Sequence, residues 1–189
     1  MRGTARLVDY FAVVAIGDDP SPFVSDHGDE SSTDKSILDI VFNAECIDRV
    51  PIQSRTSFPT GIALFCLPLG ARLTRIPPMP TYLSFVHTGG GGQHMYGCSL
   101  TFYEPLAPCQ IDALRRRFGD EVEILERRTP LAEIFNPKCI CVLSEMPFIE
   151  EFRECLGQLY RLSLSPMPLP LERFVGNVSE LRSACHPGC

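Results

Sequence analysis

Nine cysteines and four histidines are the residues of this 189-residue chain best suited to metal or thiol chemistry. Cys46, Cys66, Cys98, Cys139, Cys141 and Cys155 lie inside apolar segments, where a free cysteine behaves as a small hydrophobe. There is no C-x-x-C pair, and Cys185-His186-Pro-Gly-Cys189 offers three ligands with no matching half for a closed zinc site. An odd cysteine count suits a reducing compartment better than a disulfide framework. Two further constellations invite chemistry. The glycines of Thr88-Gly-Gly-Gly-Gly-Gln-His94 resemble a phosphate cradle, but a phosphate loop needs a helix directly behind it, and here Met95 to Tyr103 alternates as a strand. A hairpin loop is expected instead. Arg115-Arg116-Arg117 would suit a phosphate or an acidic partner, but in a chain of net charge −6 a solvated face is expected. No triad, carboxylate pair or metal set emerges, so no catalytic, cofactor or metal residue is assigned.

The elements that would carry functional residues follow from hydrophobic periodicity. The clearest unit runs from Pro137 to Leu164. Cys139, Cys141 and Leu143 point one way and Ile140 and Val142 the other, as in a central strand covered on both faces. Ser144 is expected to cap a helix with Pro147 in its first turn. Phe148, Phe152, Leu156, Leu159 and Tyr160 then recur at helical spacing and form a stripe that must lie on a sheet.

Upstream, Leu7 to Ile16 reads as a first strand, Asp18 to Ser36 as a flexible acidic loop, and Ile37 to Phe42 as a short strand. Ser21-Pro22 in that loop is better read as part of a solvated insertion than as a phosphosite. The segment to Pro59 is expected to be irregular, and the apolar run Ile62 to Leu67 to be a buried strand. Strands follow at 81–87 and 95–103, with Tyr96, Cys98, Leu100 and Phe102 on one side of the second and Gly97, Ser99 and Thr101 on the other. A basic helix is expected at 111–118, a charged irregular connection at 119–136, and a short helix from Leu171 to Val178. Residues 179–189 are expected to fray.

Length and composition suit one globular domain, and the negative balance gives a nucleic-acid partner no electrostatic help. No apolar run approaches a membrane span, and Asp9 interrupts the one N-terminal run that mimics a signal peptide. The sequon Asn177-Val-Ser179 carries no meaning in a cytosolic chain.

Four blocks, in order, resemble the upstream segment of a DENN domain. They are Leu7 to Phe11, Pro59 to Pro68, Tyr82 to Val86 with Tyr96 to Glu104, and Pro137 to Leu164, continued by Pro168 to Val175. The stretches Ala5 to Phe11 and Glu172 to Asn177 are also similar to the myotubularin-related pseudophosphatase members. The resemblance implies an α/β fold: a longin-like lobe over residues 1–178, with a mostly antiparallel central sheet and helices packed on it. It singles out Gly61, Phe65, Tyr96, Gly97, Thr101, Phe102, Pro137, Ser144, Pro147 and Phe152 as structural motif positions. The function it implies is guanine-nucleotide exchange on Rab GTPases, in a cytoplasmic protein peripheral to trafficking membranes. Exchange needs no acid, base, nucleophile or cofactor. In the family a second, downstream lobe completes the grip on the GTPase. That lobe is not evident after Val178, so little exchange is expected from these residues alone. The alternative is a free-standing longin-like module that binds a small GTPase or trafficking adaptor without catalysing release.

Overall fold

The computed structural model describes residues 7–23, 36–51 and 57–164. Its centre is a five-stranded sheet of order β3-β1-β7-β6-β5, every pairing antiparallel. The strands are β1 (Tyr10–Ile16), β3 (Ala44–Val50), β5 (Thr81–Thr88), β6 (His94–Pro105) and β7 (Phe135–Ser144). A two-stranded sheet of β2 (Val41–Phe42) and β4 (Ala71–Arg72) lies beside them. The helices are α1 (Ile62–Cys66), α2 (Pro108–Arg117), α3 (Gly119–Glu126) and α4 (Ile149–Ser163), with one 3-10 turn at Leu131–Glu133.

Strand β7 is the middle strand, and its sequence explains why. Cys139, Cys141 and Leu143 join one buried cluster, while Ile140 and Val142 join the other, so neither face can be left to water. Pro137 is compatible with this central place. The bond from the Leu106 N–H to the Ile134 carbonyl sets the alternation of the β6–β7 ladder, so Pro137, opposite Tyr103, turns its nitrogen away from β6. The glycine run makes the expected hairpin loop: the Gly89 N–H bonds the Gln93 carbonyl at 2.9 Å, and Gly92 has φ 75°.

Helix α4 covers one face with Phe152, Leu156 and Leu159, against Cys98, Leu100 and Phe102 of β6 and Phe11 of β1. Phe148 and Tyr160 edge the stripe and are less buried. On the opposite face Tyr10, Ala12, Val14 and Ile16 meet Ile62 and Cys66 of α1, Leu114 of α2, Val122 and Leu125 of α3, and Phe42 of β2. The result is a helix–sheet–helix sandwich.

Five expectations are corrected. Ile62 to Leu67 is not a strand but α1, entered through Gly61 at φ 73°. Burial of Ile62 and Cys66, four residues apart, is helical spacing, which a short apolar run does not distinguish from a strand. Ile37 to Asp39 is a turn, and only Val41–Phe42 pairs. Ala44–Val50, expected to be irregular, is edge strand β3, whose Glu45, Asp48 and Arg49 mask its alternation. Residues 119–126, expected to be a connection, form α3, which buries only Val122 and Leu125.

The fifth correction concerns Ser144, which does not cap α4. It ends β7, donating from Oγ to the Leu7 carbonyl at 2.8 Å and accepting from the Met146 N–H at 3.0 Å. α4 starts only at Ile149, after Phe148 in a non-helical conformation (φ −86°, ψ 58°), and Pro147 lies outside it. The short helix expected at 171–178, the tail after it and most of the acidic loop lie outside the described residues.

Candidate functional site

Among the described residues no group of three or more His, Cys, Asp or Glu side chains is placed to hold a metal. An open groove of about 730 Å³ lies at one end of the sheet beside Glu45, Glu104, Gln110, Asn136 and Lys138. Four of its polar side chains bond within one network. Lys138 Nζ meets Glu104 Oε2 at 3.0 Å, and Asn136 Nδ2 donates to the Glu104 carbonyl and to Gln110 Oε1, each at 3.2 Å. Gln110 Oε1 also accepts from the Ala107 N–H at 3.0 Å and so fastens the start of α2. These contacts close the ends of β6 and β7; the free thiols of Cys46 and exposed Cys109 also line the groove.

The arginine trio is likewise engaged. Arg115 pairs with Glu126 and, at 3.8 Å, with Asp112, while Arg117 approaches Asp19 at 3.6 Å. The pairs are exposed and individually worth little, and Arg116 reaches only the Asp112 carbonyl, at 3.4 Å.

The buried thiols are inert by placement. Cys66 of α1 meets Cys139 and Cys141 of β7 inside the core. Contact with the Cys66 thiol, and then burial, push Cys139 up; burial pushes Cys141 up. For Cys66 the contact with Cys139 lowers the value, but contact with Cys141 and burial outweigh it and leave it raised. On the other face burial pushes Cys98 up to about 11. A thiol held protonated is neither a nucleophile nor a metal ligand.

What the lobe does expose is apolar surface where α1 meets β5. Gly61 takes the left-handed conformation that turns the chain into α1, and Ile62 and Cys66 anchor the helix inward. The helix therefore turns Leu64 (57% exposed) and Phe65 (37%) outward. The Phe65 ring stacks on Phe85 of β5 at 5.1 Å and meets His87 edge-on at 5.8 Å. Phe85 in turn lies across Gly97 of β6, where a Cβ would come within 2.3 Å of the ring. Leu83 continues the surface along β5. An exposed apolar patch of this kind is the surface chemistry that suits protein docking.

The ten motif residues do not converge on one site. Gly61, Phe65 and Gly97 come together at the α1–β5 surface. Phe102 and Phe152 are buried on the α4 face, with the Phe102 ring 5.0 Å from that of Tyr160. Tyr96 is half-buried on β6, and Thr101 reaches Cys139. Pro137 and Ser144 are buried in β7, and Pro147 is exposed in the turn before α4. Phe85 and Leu83 belong to the docking face and were not singled out from the sequence. Their one signal is a strand of eight residues, Thr81–Thr88, with no charged side chain.

Comparison with known families gives two matches on this lobe. The uDENN domain matches residues 44–102, from β3 through most of β6, and the DENN (AEX-3) domain matches residues 135–188, from β7 onward. The strand–helix unit read above as the end of the upstream segment therefore falls within the second match, which also runs through the stretch expected to fray. No solved structure matches the chain. With both matches in family order and contributing strands to a single sheet, the chain belongs to the DENN-domain family.

Proposed function

We propose that this chain supplies a longin-like lobe through which a guanine-nucleotide exchange factor grips a Rab GTPase at the surface of trafficking membranes. DENN domains generally act on Rab GTPases, and the observation that carries the reading is the consecutive uDENN and DENN match. An exposed apolar face is the surface such a role calls for. Exchange is driven by differential binding: a factor that holds the nucleotide-free GTPase more tightly than the nucleotide-bound one shifts the population toward release.

The test is binding of the chain to a panel of Rab GTPases, each presented with GDP and magnesium and again after the nucleotide is stripped with a chelator. Tighter binding of the stripped form by at least one Rab is expected. Release of a fluorescent GDP analogue, measured in parallel, is expected to be slow with this lobe alone, since the family grips the GTPase with two lobes. Equal affinity for both forms would favour a non-catalytic interaction module, and no binding to any Rab would overturn the reading.

A further inference from the structure

The two edges of the sheet are built differently. The outer edge of β3 carries Glu45, Asp48 and Arg49 and a register irregularity opposite Val13 and Val14. Charge and a bulge are the ordinary protections against edge-to-edge pairing. The outer edge of β5 has neither. Thr81–Thr88 pairs in unbroken register with β6 and contains no Asp, Glu, Lys, Arg or Pro. Among the described strands none lies on its other side.

The backbone groups of this edge can be assigned. The bond from the Gly89 N–H to the Gln93 carbonyl sets the alternation of the hairpin, so residues 81, 83, 85 and 87 turn their N–H and C=O groups toward β6. Those of Tyr82, Ser84, Val86 and Thr88 point outward. Leu83 and Phe85 lie on the α1 face, and Tyr82 and Val86 on the α4 face. Leu83 and Val86 are 40% and 50% exposed.

We infer that β5 is a dimerisation edge, pairing antiparallel with β5 of a second copy across a twofold axis perpendicular to the sheet. The strand is self-complementary in that arrangement. With Ser84 opposite itself on the axis, Leu83 meets Phe85 of the other copy on the α1 face, and Tyr82 meets Val86 on the α4 face. Thr81 then meets His87. Apolar faces apolar, polar faces polar, and the outward groups of Tyr82, Ser84 and Val86 are those that bond across the junction. Each chain carries a net charge of −6, yet this edge brings no like charges opposite one another. A β3–β3 pairing would instead bring the acidic side chains of Glu45 and Asp48 close together across the junction. One strand pair is a small interface, so association is expected to depend on concentration and not to be obligate.

The test is the mass of the full chain in solution from about 1 to about 100 µM, by light scattering or sedimentation. The wild type is expected to rise from 21.0 kDa toward twice that mass. Val86→Lys introduces a charge at an exposed position, and Ser84→Pro removes an outward N–H without touching the β6 ladder. Each is expected to weaken the dimer by about tenfold or more with an unchanged far-ultraviolet spectrum. Ile47→Lys, on the opposite edge, is expected to leave it intact. Hydrogen exchange gives a second readout, with the Tyr82, Ser84 and Val86 amides slowing as concentration rises. A wild type that remains at 21.0 kDa, or a dimer that survives both β5 variants, overturns the inference.

Discussion

Phe152 and Cys98 show what single side chains contribute to this lobe. Phe152 is buried where α4 meets the sheet, in one cluster with Leu100, Ile140 and Leu156. Phe152→Ala leaves a ring-sized void that β6 and β7, held in a ladder, cannot collapse to fill. A loss of about 3–5 kcal/mol is expected in urea titrations. An unchanged midpoint would mean that the stripe is not the seat of the helix. Cys98 contributes through its proton. Its folded value is raised from 9.0 to about 11 by burial, so folding favours the neutral thiol. The stabilisation is complete below the unfolded value near pH 9 and is lost as pH climbs through about 11. Cys139 and Cys141 are raised as well and add to the same trend. The melting temperature is therefore expected to decline above pH 9, and Cys98→Ala to flatten part of that decline.

At the scale of elements, the docking face depends on a close approach of two strands and a helix. Gly97→Ala places a methyl group within 2.3 Å of the Phe85 ring, which must then leave its stack on Phe65. A destabilisation of about 1–3 kcal/mol is expected in thermal melts, with loss of the Phe65–Phe85 contact visible in aromatic proton shifts. Unchanged stability and shifts would mean that the ring has room to move. Only half of this arrangement was legible in the chain itself. The resemblance picked out Gly61, Phe65 and Gly97, but it did not supply Phe85, because nothing local reveals that Phe85 falls opposite Gly97 once β5 and β6 are in register. The same limit separates elements read correctly from those misread. β1, β6, β7 and α4 have enough apolar residues in one period to declare themselves. α1 is too short for its period to show, β3 trades alternation for charge at an edge, and α3 buries only two side chains. Ser144 carries the hydroxyl of a helix cap, but the helix starts only at Ile149, and that hydroxyl joins β7 to the residues before β1.

For the molecule as a whole, the order of the strands in the sheet matters more than any one contact. β7 forms the seam between β1 with β3 on one side and β6 with β5 on the other. The uDENN match ends at residue 102 and the DENN match begins at 135, so a boundary drawn between them would cut through one hydrogen-bonded ladder. Ser144 and Glu145 reach back to Leu7 and Asp9, across nearly the full length of the lobe. During synthesis, two half-sheets must emerge from the ribosome and wait, with their apolar faces uncovered, for the strand that joins them. A fragment cut at the family boundary is thus expected to be a substrate for chaperones and proteases, and closure of the lobe to begin only when β7 leaves the exit tunnel.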